Sequence, residues 1–556
     1  MFWCTWKSTA LLLPFLFFWL SGTSVQAAAS TCPAPVPASY PAPVVRNGFE
    51  ARLVATGLKK PRGVIVDSNG RLLVVEAGKG ITHMTIKDDG WPCLSVEKTT
   101  TIVSMSDLNH GIQLSIDGKT LYASSSNSVY SWAYDADAIR VSDEKSPKTL
   151  ISNMTNAGGG HSTRTLLISR KQPGILLVSR GSGSNIDNGA TDHSSGISQI
   201  RAFNISDPNL GTPGGGGKVY DYPSEGWTIG WGLRNSVGVA EEPNTGGIYS
   251  VENSADGIKR FGVDIHEDSP GEEMNYHGVL RFPSSTPANQ SSSVNQGQQQ
   301  GGNHGYPYCL ALYNSSASPS FPSLGDLKTG SQFTHDSTPY SIPFLPSSDS
   351  SSTSSSPQAK PINITTSDTS CSSTNFIPPR LTFPAHTAPL DIKFSNGNGN
   401  DNQSLGLGLA YISFHGSWDR STPAGYKLSA VRFDTSKGEP LEASDSTNSL
   451  VDVMWNRDVS KCPGQCFRPV GLAVDGQERI WMTDDDKGDV WVLKQVGEVK
   501  DEEGADGGSG SGNVNGDSDS AAAPMRAKRS GSCAEWLGVG MSAMAAVIGS
   551  LLFAVL

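Results

Sequence analysis

Residues 63–76, GVIVDSNGRLLVVE, set two short apolar runs on either side of an Asp-Ser-Asn-Gly turn. The same shape returns at 111–124 (GIQLSIDGKTLYAS), 165–179 (TLLISRKQPGILLVS), 238–252 (GVAEEPNTGGIYSVE) and 471–483 (GLAVDGQERIWMT). It returns once more, with a longer polar loop, at 390–414, where LDIKF and LAYISF are the two runs. Short aliphatic and β-branched runs joined by Asn-Gly, Asp-Gly or Gly-Gly chemistry are hairpin signals. Third-strand candidates follow at 128–134 (SVYSWAY), 257–263 (GIKRFGV), 427–433 (KLSAVRF) and 489–494 (DVWVLK). Six recurrences of one antiparallel unit predict an all-β chain, a six-bladed β-propeller, because radial repetition leaves only short sheet edges exposed. A β-sandwich or two β-domains would also use hairpins, but neither needs one unit repeated this often. No amphipathic helix of useful length competes.

Outside the repeats the composition changes. Residues 283–379 are dominated by Ser, Gln, Asn, Gly and Pro, with SSDSSSTSSSPQ near the centre. Such composition predicts a disordered insertion between blades that buries no core. Residues 1–28 read as a secretory signal: Lys7, the apolar run Ala10 to Leu20, then a small-residue cleavage site at Val25-Gln26-Ala27. An 11-residue run is too short to span a bilayer. At the other end, residues 499–532 form a polar stalk, and 533–556 contain an uncharged apolar segment from Leu537 to Leu556. Small residues, a polar spacer and a hydrophobic end make a GPI-anchor signal, with a C-terminal membrane helix as the alternative. The propeller is therefore expected over 31–498, in an extracellular, cell-surface protein held to the membrane by that anchor.

The cysteines agree with that compartment. Setting aside Cys4 and Cys533 in the two signals leaves Cys32, Cys93, Cys309, Cys371, Cys462 and Cys466. An even set on the secretory route predicts disulfides of undetermined connectivity. Cys462-Pro-Gly-Gln-Cys466 has the spacing of a local clip. Asn153, Asn204, Asn289, Asn314, Asn363 and Asn402 are glycosylation acceptors. A net charge of −11 with no basic patch argues against nucleic acid as a partner.

Four polar stations lie at the ends of the repeated hairpins. Gly158-Gly159-Gly160-His161 allows close ligand approach and offers a base with a near-neutral unperturbed pKa, although a turn histidine has the same local sequence. Arg234 and Asn235, leading into a strand, provide a guanidinium fork and an amide, or a partner for a neighbouring blade's acid. Glu252-Asn253-Ser254-Ala255-Asp256 could hold a hard cation or be a plain Asx turn. His386, with Trp418, Asp419 and Arg420, combines a stacking plane, an acid and a guanidinium.

GGGHSTRTLLIS (158–169), GWGLRNSVGVA (230–240), FHGSWDRSTPAGYKLSAVRF (414–433) and FRPVGLAVD (467–475) together resemble the soluble pyrroloquinoline-quinone (PQQ) dehydrogenases. Within that family the chain is similar to the fungal pyranose dehydrogenases and the sorbosone dehydrogenases, over roughly Leu53 to Leu493 without the Ser-rich insertion. The resemblance implies a six-bladed propeller with PQQ on its axis and Ca²⁺ beneath the quinone. It implies His161 as the base that takes the C1 hydroxyl proton of a pyranose or aldose while hydride passes to the quinone. Arg234 and Asn235 match the pair holding the quinone, and Ser254 and Ala255 match the positions whose carbonyls hold Ca²⁺. His386, Trp418, Asp419, Arg420 and Arg62 fit the rest of the cofactor cradle. Three carboxylates on PQQ suit an Arg-rich site. No attached cytochrome is seen, so the electrons need an external acceptor such as a cytochrome. A propeller fold does not name its function; a glycan- or wall-binding propeller and a Ca²⁺-dependent sugar lactonase are the competing classes.

Overall fold

The computed structural model describes residues 32–497 apart from 157–158, 208, 212–216, 283–299, 314–320, 336–338, 344–360, 373–375 and 396–407. The signal, stalk and anchor expectations, and Asn289, Asn314 and Asn402, lie outside the described residues.

Each repeated unit forms the inner hairpin of one blade. Blades 1 to 6 begin with the strands Pro61–Val66, Leu108–Leu114, Leu166–Ile168, Ser236–Glu241, Pro389–Phe394 and Pro469–Val474. Every blade is an antiparallel sheet of four strands, some with an added edge strand. The inner strands pack side by side in chain order, and the sixth returns to the first. Ring closure uses both ends of the domain: Phe49–Ala55 becomes the outer strand of blade 6 by pairing antiparallel with Asp489–Gln495. The buried side chains between sheets are largely apolar. Tyr249, Phe394 and Phe433, for example, pack edge-to-face between blades 4 and 5.

Glycine sets how closely the inner strands approach. A Cβ at Gly63 would lie 2.3 Å from the carbonyl oxygen of His110, at Gly111 2.2 Å from that of Arg164, and at Gly471 2.2 Å from that of Arg62. At Gly238 it would lie 2.8 Å from the Cα of Asp391. These are contacts between neighbouring blades, and backbone atoms cannot swing away as a side-chain end can. The residues just ahead of the inner strands are consequently gathered at one end of the axis.

The third-strand expectations hold at 128–134, 427–433 and 489–494, which fall in Val129–Asp135, Lys427–Asp434 and Asp489–Gln495. GIKRFGV does not: it forms a small separate hairpin, Lys259–Arg260 with Val263–Asp264. The third strand of blade 4 is Glu272–Val279. That stretch carries Glu, Asn and His at buried positions, so its apolar signal is weak.

The composition of 283–379 also misleads in part. Within it, Tyr306, Leu310, Leu312, Phe321 and Phe333 are buried, and they form a core with Ala255, Ile258 and Ile265 of the blade 4 loop. Arg260 anchors this layer, giving Asp368 two hydrogen bonds of 2.9 and 2.6 Å. The Cys309–Cys371 disulfide, whose ends are 62 positions apart in the chain, closes it, a constraint worth about 4 kcal/mol in chain-entropy terms. Apolar residues too sparse to form their own core are buried because the propeller supplies the other half.

The remaining pairs are Cys32–Cys93 and the local clip Cys462–Cys466. Asn153 and Asn204 are exposed.

Gly471→Ala is expected to lose about 1–3 kcal/mol of stability by overpacking against a neighbouring strand. Gly476→Ala, at a position whose Cβ would meet nothing within 4 Å, should change it by less than about 0.5 kcal/mol. Denaturant unfolding of the two variants checks this.

Candidate functional site

His161 enters the mouth of the axis from the segment ahead of the blade 3 inner strand. Its backbone is fixed from behind. Buried Arg164 donates to the carbonyls of Met154, His161 and Thr163 at 2.6–2.9 Å. Asn156 donates to the carbonyls of His161, Gly181 and Ser182 at 3.0–3.2 Å. The ring Nδ1 lies 3.1 Å from the carbonyl oxygen and 3.0 Å from the hydroxyl of Ser182. A carbonyl only accepts, so Nδ1 carries the proton, and the Nε2 lone pair has no hydrogen-bond partner among the described residues. Burial, then the nearby Arg234 charge, push the His161 pKa down to about 3. The ring is therefore a neutral base throughout the physiological range.

Gly181 lets His161 and Asn235 share this spot, since a Cβ there would lie 2.5 Å from Asn235 Oδ1 and 2.9 Å from His161 Cβ. Asn235 is 8 % exposed, and its amide side chain has no hydrogen-bond partner among the described residues. Next to it, Arg234 is held on several sides. Its guanidinium donates to Asp256 Oδ2 (2.7 Å), to Asn185 Oδ1 (2.8 Å) and to the carbonyls of Asn185 and Asn253 (both 3.2 Å).

The turn after Glu252 places Ser254 and Ala255 at the same mouth. The Ser254 N–H donates to Glu272 Oε2 at 2.7 Å, while the Ser254 and Ala255 carbonyls accept no hydrogen bond among the described residues. Glu252 and Glu272 take backbone N–H groups of Arg234, Ser254 and Ala388 at 2.5–3.0 Å. Burial raises the pKa of both, and for Glu252 the neighbouring Glu273 adds to the shift. These carboxyls support the loops and do not form an open metal cage.

Among the described residues, Asp256, His386 and Asp419 bring ligand-type atoms within 4.8 Å of one another. His386 Nε2 donates to the His266 carbonyl at 2.6 Å, and Nδ1 faces Asp256 Oδ1 at 3.5 Å. Burial opposes its charge, but Asp256 and Glu272 outweigh burial and raise its pKa. Its two ring nitrogens thus face a carbonyl and a carboxylate, an arrangement that favours the protonated ring beside the Arg234–Asp256 pair. Asp419 accepts the Gly257 N–H at 2.8 Å and so ties the blade 5 loop to the blade 4 loop.

Across the mouth, Arg62 donates to Asp485 Oδ2 at 2.5 Å and to His110 Nδ1 at 3.3 Å. His415 Nε2 lies 2.9 Å from Asp485 Oδ1, and Arg468 reaches His415 Nδ1 at 3.0 Å. Arginine only donates, so Nδ1 accepts and Nε2–H points at Asp485. Both nitrogens of His415 are occupied, which excludes it as a free base. Burial favours protonation of Asp485, but Arg62 and His415 prevail and hold its pKa well below the usual range.

His161, Arg234, Asn235, Ser254, Ala255, His386, Asp419 and Arg62 thus lie around one mouth. Two further predicted members lie on the blade 5 loop. Trp418 is 69 % exposed, a rim residue in open view of solvent. Arg420 reaches Asp268 (3.5 Å) and the Ala385 carbonyl (3.5 Å). Both sit on a loop whose path is set by contacts with residues 257–268, which local sequence does not encode. His110, His415, Arg468, Asp485, Asn185 and Tyr306 were missed. His110, Arg468, His415 and Asp485 occupy strand starts or hairpin exits equivalent to those of the residues found, and that positional equivalence was the available signal.

The TrAA12-like family description matches residues 43–496. The chain is 40 % identical over 504 residues to a pyrroloquinoline quinone-dependent sugar dehydrogenase of Hypocrea jecorina, covering 91 % of this chain and 98 % of that protein. The chain belongs to the TrAA12-like family. It is also 33 % identical over 469 residues to a pyrroloquinoline quinone-dependent pyranose dehydrogenase of Coprinopsis cinerea, covering 81 % of this chain and 54 % of that longer protein. Among solved structures, a calcium structure of Trichoderma reesei family AA12 matches with a TM-score of 0.68 and 42 % identity over 83 % of this chain and 99 % of that one. The holo PQQ domain of the Coprinopsis pyranose dehydrogenase matches with a TM-score of 0.66 and 31 % identity, again over 83 % and 99 %.

Because the His161 pKa lies near 3, lowering the pH from 7 to 5 should leave its ring neutral with the proton on Nδ1. Imidazole ¹⁵N chemical shifts of the protein, compared with a His161→Gln variant for assignment, check this.

Proposed function

We propose that this protein is a PQQ-dependent sugar dehydrogenase that oxidises a pyranose or aldose at C1. The observation that carries the reading is His161: its Nδ1–H is committed to Ser182, its Nε2 has no partner among the described residues, and it stands beside Arg234 and Asn235. The relatives' names support the cofactor and substrate class. The residues fit the cofactor. Arg62 and Arg234 can meet carboxylates, and the unpartnered amide of Asn235 is one of the few uncommitted polar groups at the mouth. PQQ, when bound, supplies the two-electron acceptor for the hydride leaving the sugar carbon. The chain's own part is to hold the sugar against His161, whose Nε2 takes the hydroxyl proton as the carbonyl forms. The resulting imidazolium is stabilised through Nδ1–H by Ser182.

Ca²⁺ would be held by the Ser254 and Ala255 carbonyls, neutral oxygens of the kind a hard cation prefers, which nothing else in the described chain uses. Its contribution there is that of a Lewis acid. Electrons leave through an external acceptor. We also read the protein as extracellular and GPI-anchored. Three disulfides suit an oxidising compartment. In blade 6 Asp489 pairs with Asp484 at the site end and Leu493 with Ile480 at the far end. The described chain therefore leaves the propeller from the face opposite the mouth.

Titration of the secreted domain with PQQ, with and without Ca²⁺, and dye reduction across a panel of aldoses test the reading. Tight PQQ binding and sugar-dependent turnover are expected, with turnover falling about 10²–10⁴-fold in His161→Ala while PQQ still binds. Failure of the wild-type protein to bind PQQ would overturn the assignment.

A further inference from the structure

The segment 182–187 joins both halves of the site. Ser182 holds His161 Nδ1, and its hydroxyl donates to the Ser184 carbonyl at 2.7 Å. Asn185, exposed on the outside of the turn, accepts from Arg234 Nη2 (2.8 Å) and from the Asp256 N–H (2.9 Å) through the same Oδ1, and donates to the Asp256 carbonyl at 2.7 Å. Ile186 packs the turn against the core beneath it, Asp187 Oδ2 accepts the Gly183 N–H at 2.7 Å, and a buried hydroxyl adds two further hydrogen bonds. Tyr306 Oη accepts the Asp187 N–H at 2.8 Å and donates to the Asn185 carbonyl at 2.9 Å.

Tyr306 belongs to the Ser- and Gln-rich insertion, more than a hundred residues further along the chain. It is 4 % exposed, and its ring packs in the core shared with Ala255 and Ile258. Its N–H donates to the Gly232 carbonyl at 3.0 Å, two residues before Arg234. One residue thus ties the start of the Arg234 segment to the turn that orients both the guanidinium and the base.

We propose that Tyr306 is a positioning residue of the active site, acting through Asn185 on Arg234 and through the 182–187 turn on His161, so that the insertion is a working part of the site. As it concerns cofactor and sugar, the proposal rests on the dehydrogenase reading. Its structural core, that the hydroxyl orders the turn, does not. Tyr306→Phe removes the hydroxyl and keeps the ring in its core. Asn185→Ala, at an exposed position, breaks the same chain one link later without touching the core.

In the cofactor-free protein, amide hydrogen exchange across 183–187 should quicken in Tyr306→Phe. It should not quicken in Tyr308→Phe, whose hydroxyl reaches Asn188 instead. With PQQ, both Tyr306→Phe and Asn185→Ala should raise the dissociation constant about two- to tenfold, the scale of a hydrogen bond's net contribution transmitted to the site. In an Arg234→Lys background the Tyr306→Phe effect on PQQ should shrink below about twofold, the non-additivity of residues acting through one another. A merely structural tyrosine would lower thermal stability and leave that coupling at zero. Unchanged exchange in Tyr306→Phe, or additive effects with Arg234→Lys, would overturn the proposal. A wild-type protein that does not bind PQQ would overturn the dehydrogenase reading, and the exchange experiment would still decide the role of the hydroxyl.

Discussion

The close approach of the inner strands around the axis governs everything else in the molecule. At Gly63, Gly111, Gly238 and Gly471 a side chain would collide with the backbone of the next blade. Overpacking of this kind cannot be relieved by a rotamer change, since the obstacle is main chain. Removing the Cβ lets six short strands stand side by side, and their starts then converge on one small mouth. His161, Arg234, His386, Arg62 and Arg468 come from segments far apart in the chain, yet each leads into or stands beside an inner strand.

Within that mouth, hydrogen-bond direction sorts the histidines. Burial alone lowers the charge affinity of His110, His161 and His415 alike. Their partners separate them. His415 stands between an arginine that must donate and a carboxylate that must accept. His386 donates to a carbonyl and faces an acid, and becomes the cation of its cluster. Only His161, of these four, combines a committed Nδ1–H with an Nε2 that has no partner among the described residues, beside a guanidinium. The distinction between base, spacer and cation lies in which atoms the neighbours offer, because the residue type is the same in each case.

The insertion shows how composition and burial can part company. Its Ser- and Gln-rich sequence has too few apolar residues to close a core alone, yet Tyr306, Leu310 and Phe333 are buried against the blade 4 loop. Arg260 with Asp368, and the Cys309–Cys371 bridge, hold this layer where it covers the Asn185 turn and the Ala255 loop. The described part of that segment packs against the blade 4 loop and the Asn185 turn.

The six hairpins, the all-β class and the paired cysteines were legible in the chain by itself, because strand period and turn chemistry act over a few residues. His161, Arg234, Asn235, Ser254, Ala255 and His386 sit next to those local signals, and the structure gathers them at one mouth. Tertiary structure alone decided that Trp418 stands in solvent and that Arg420 faces Asp268. It also decided that GIKRFGV is a separate hairpin and that Asp485, Arg468, Asn185 and Tyr306 complete the site. Those outcomes depend on contacts between segments scores to hundreds of residues apart, and such contacts follow from how the blades close around the axis, which no local pattern carries.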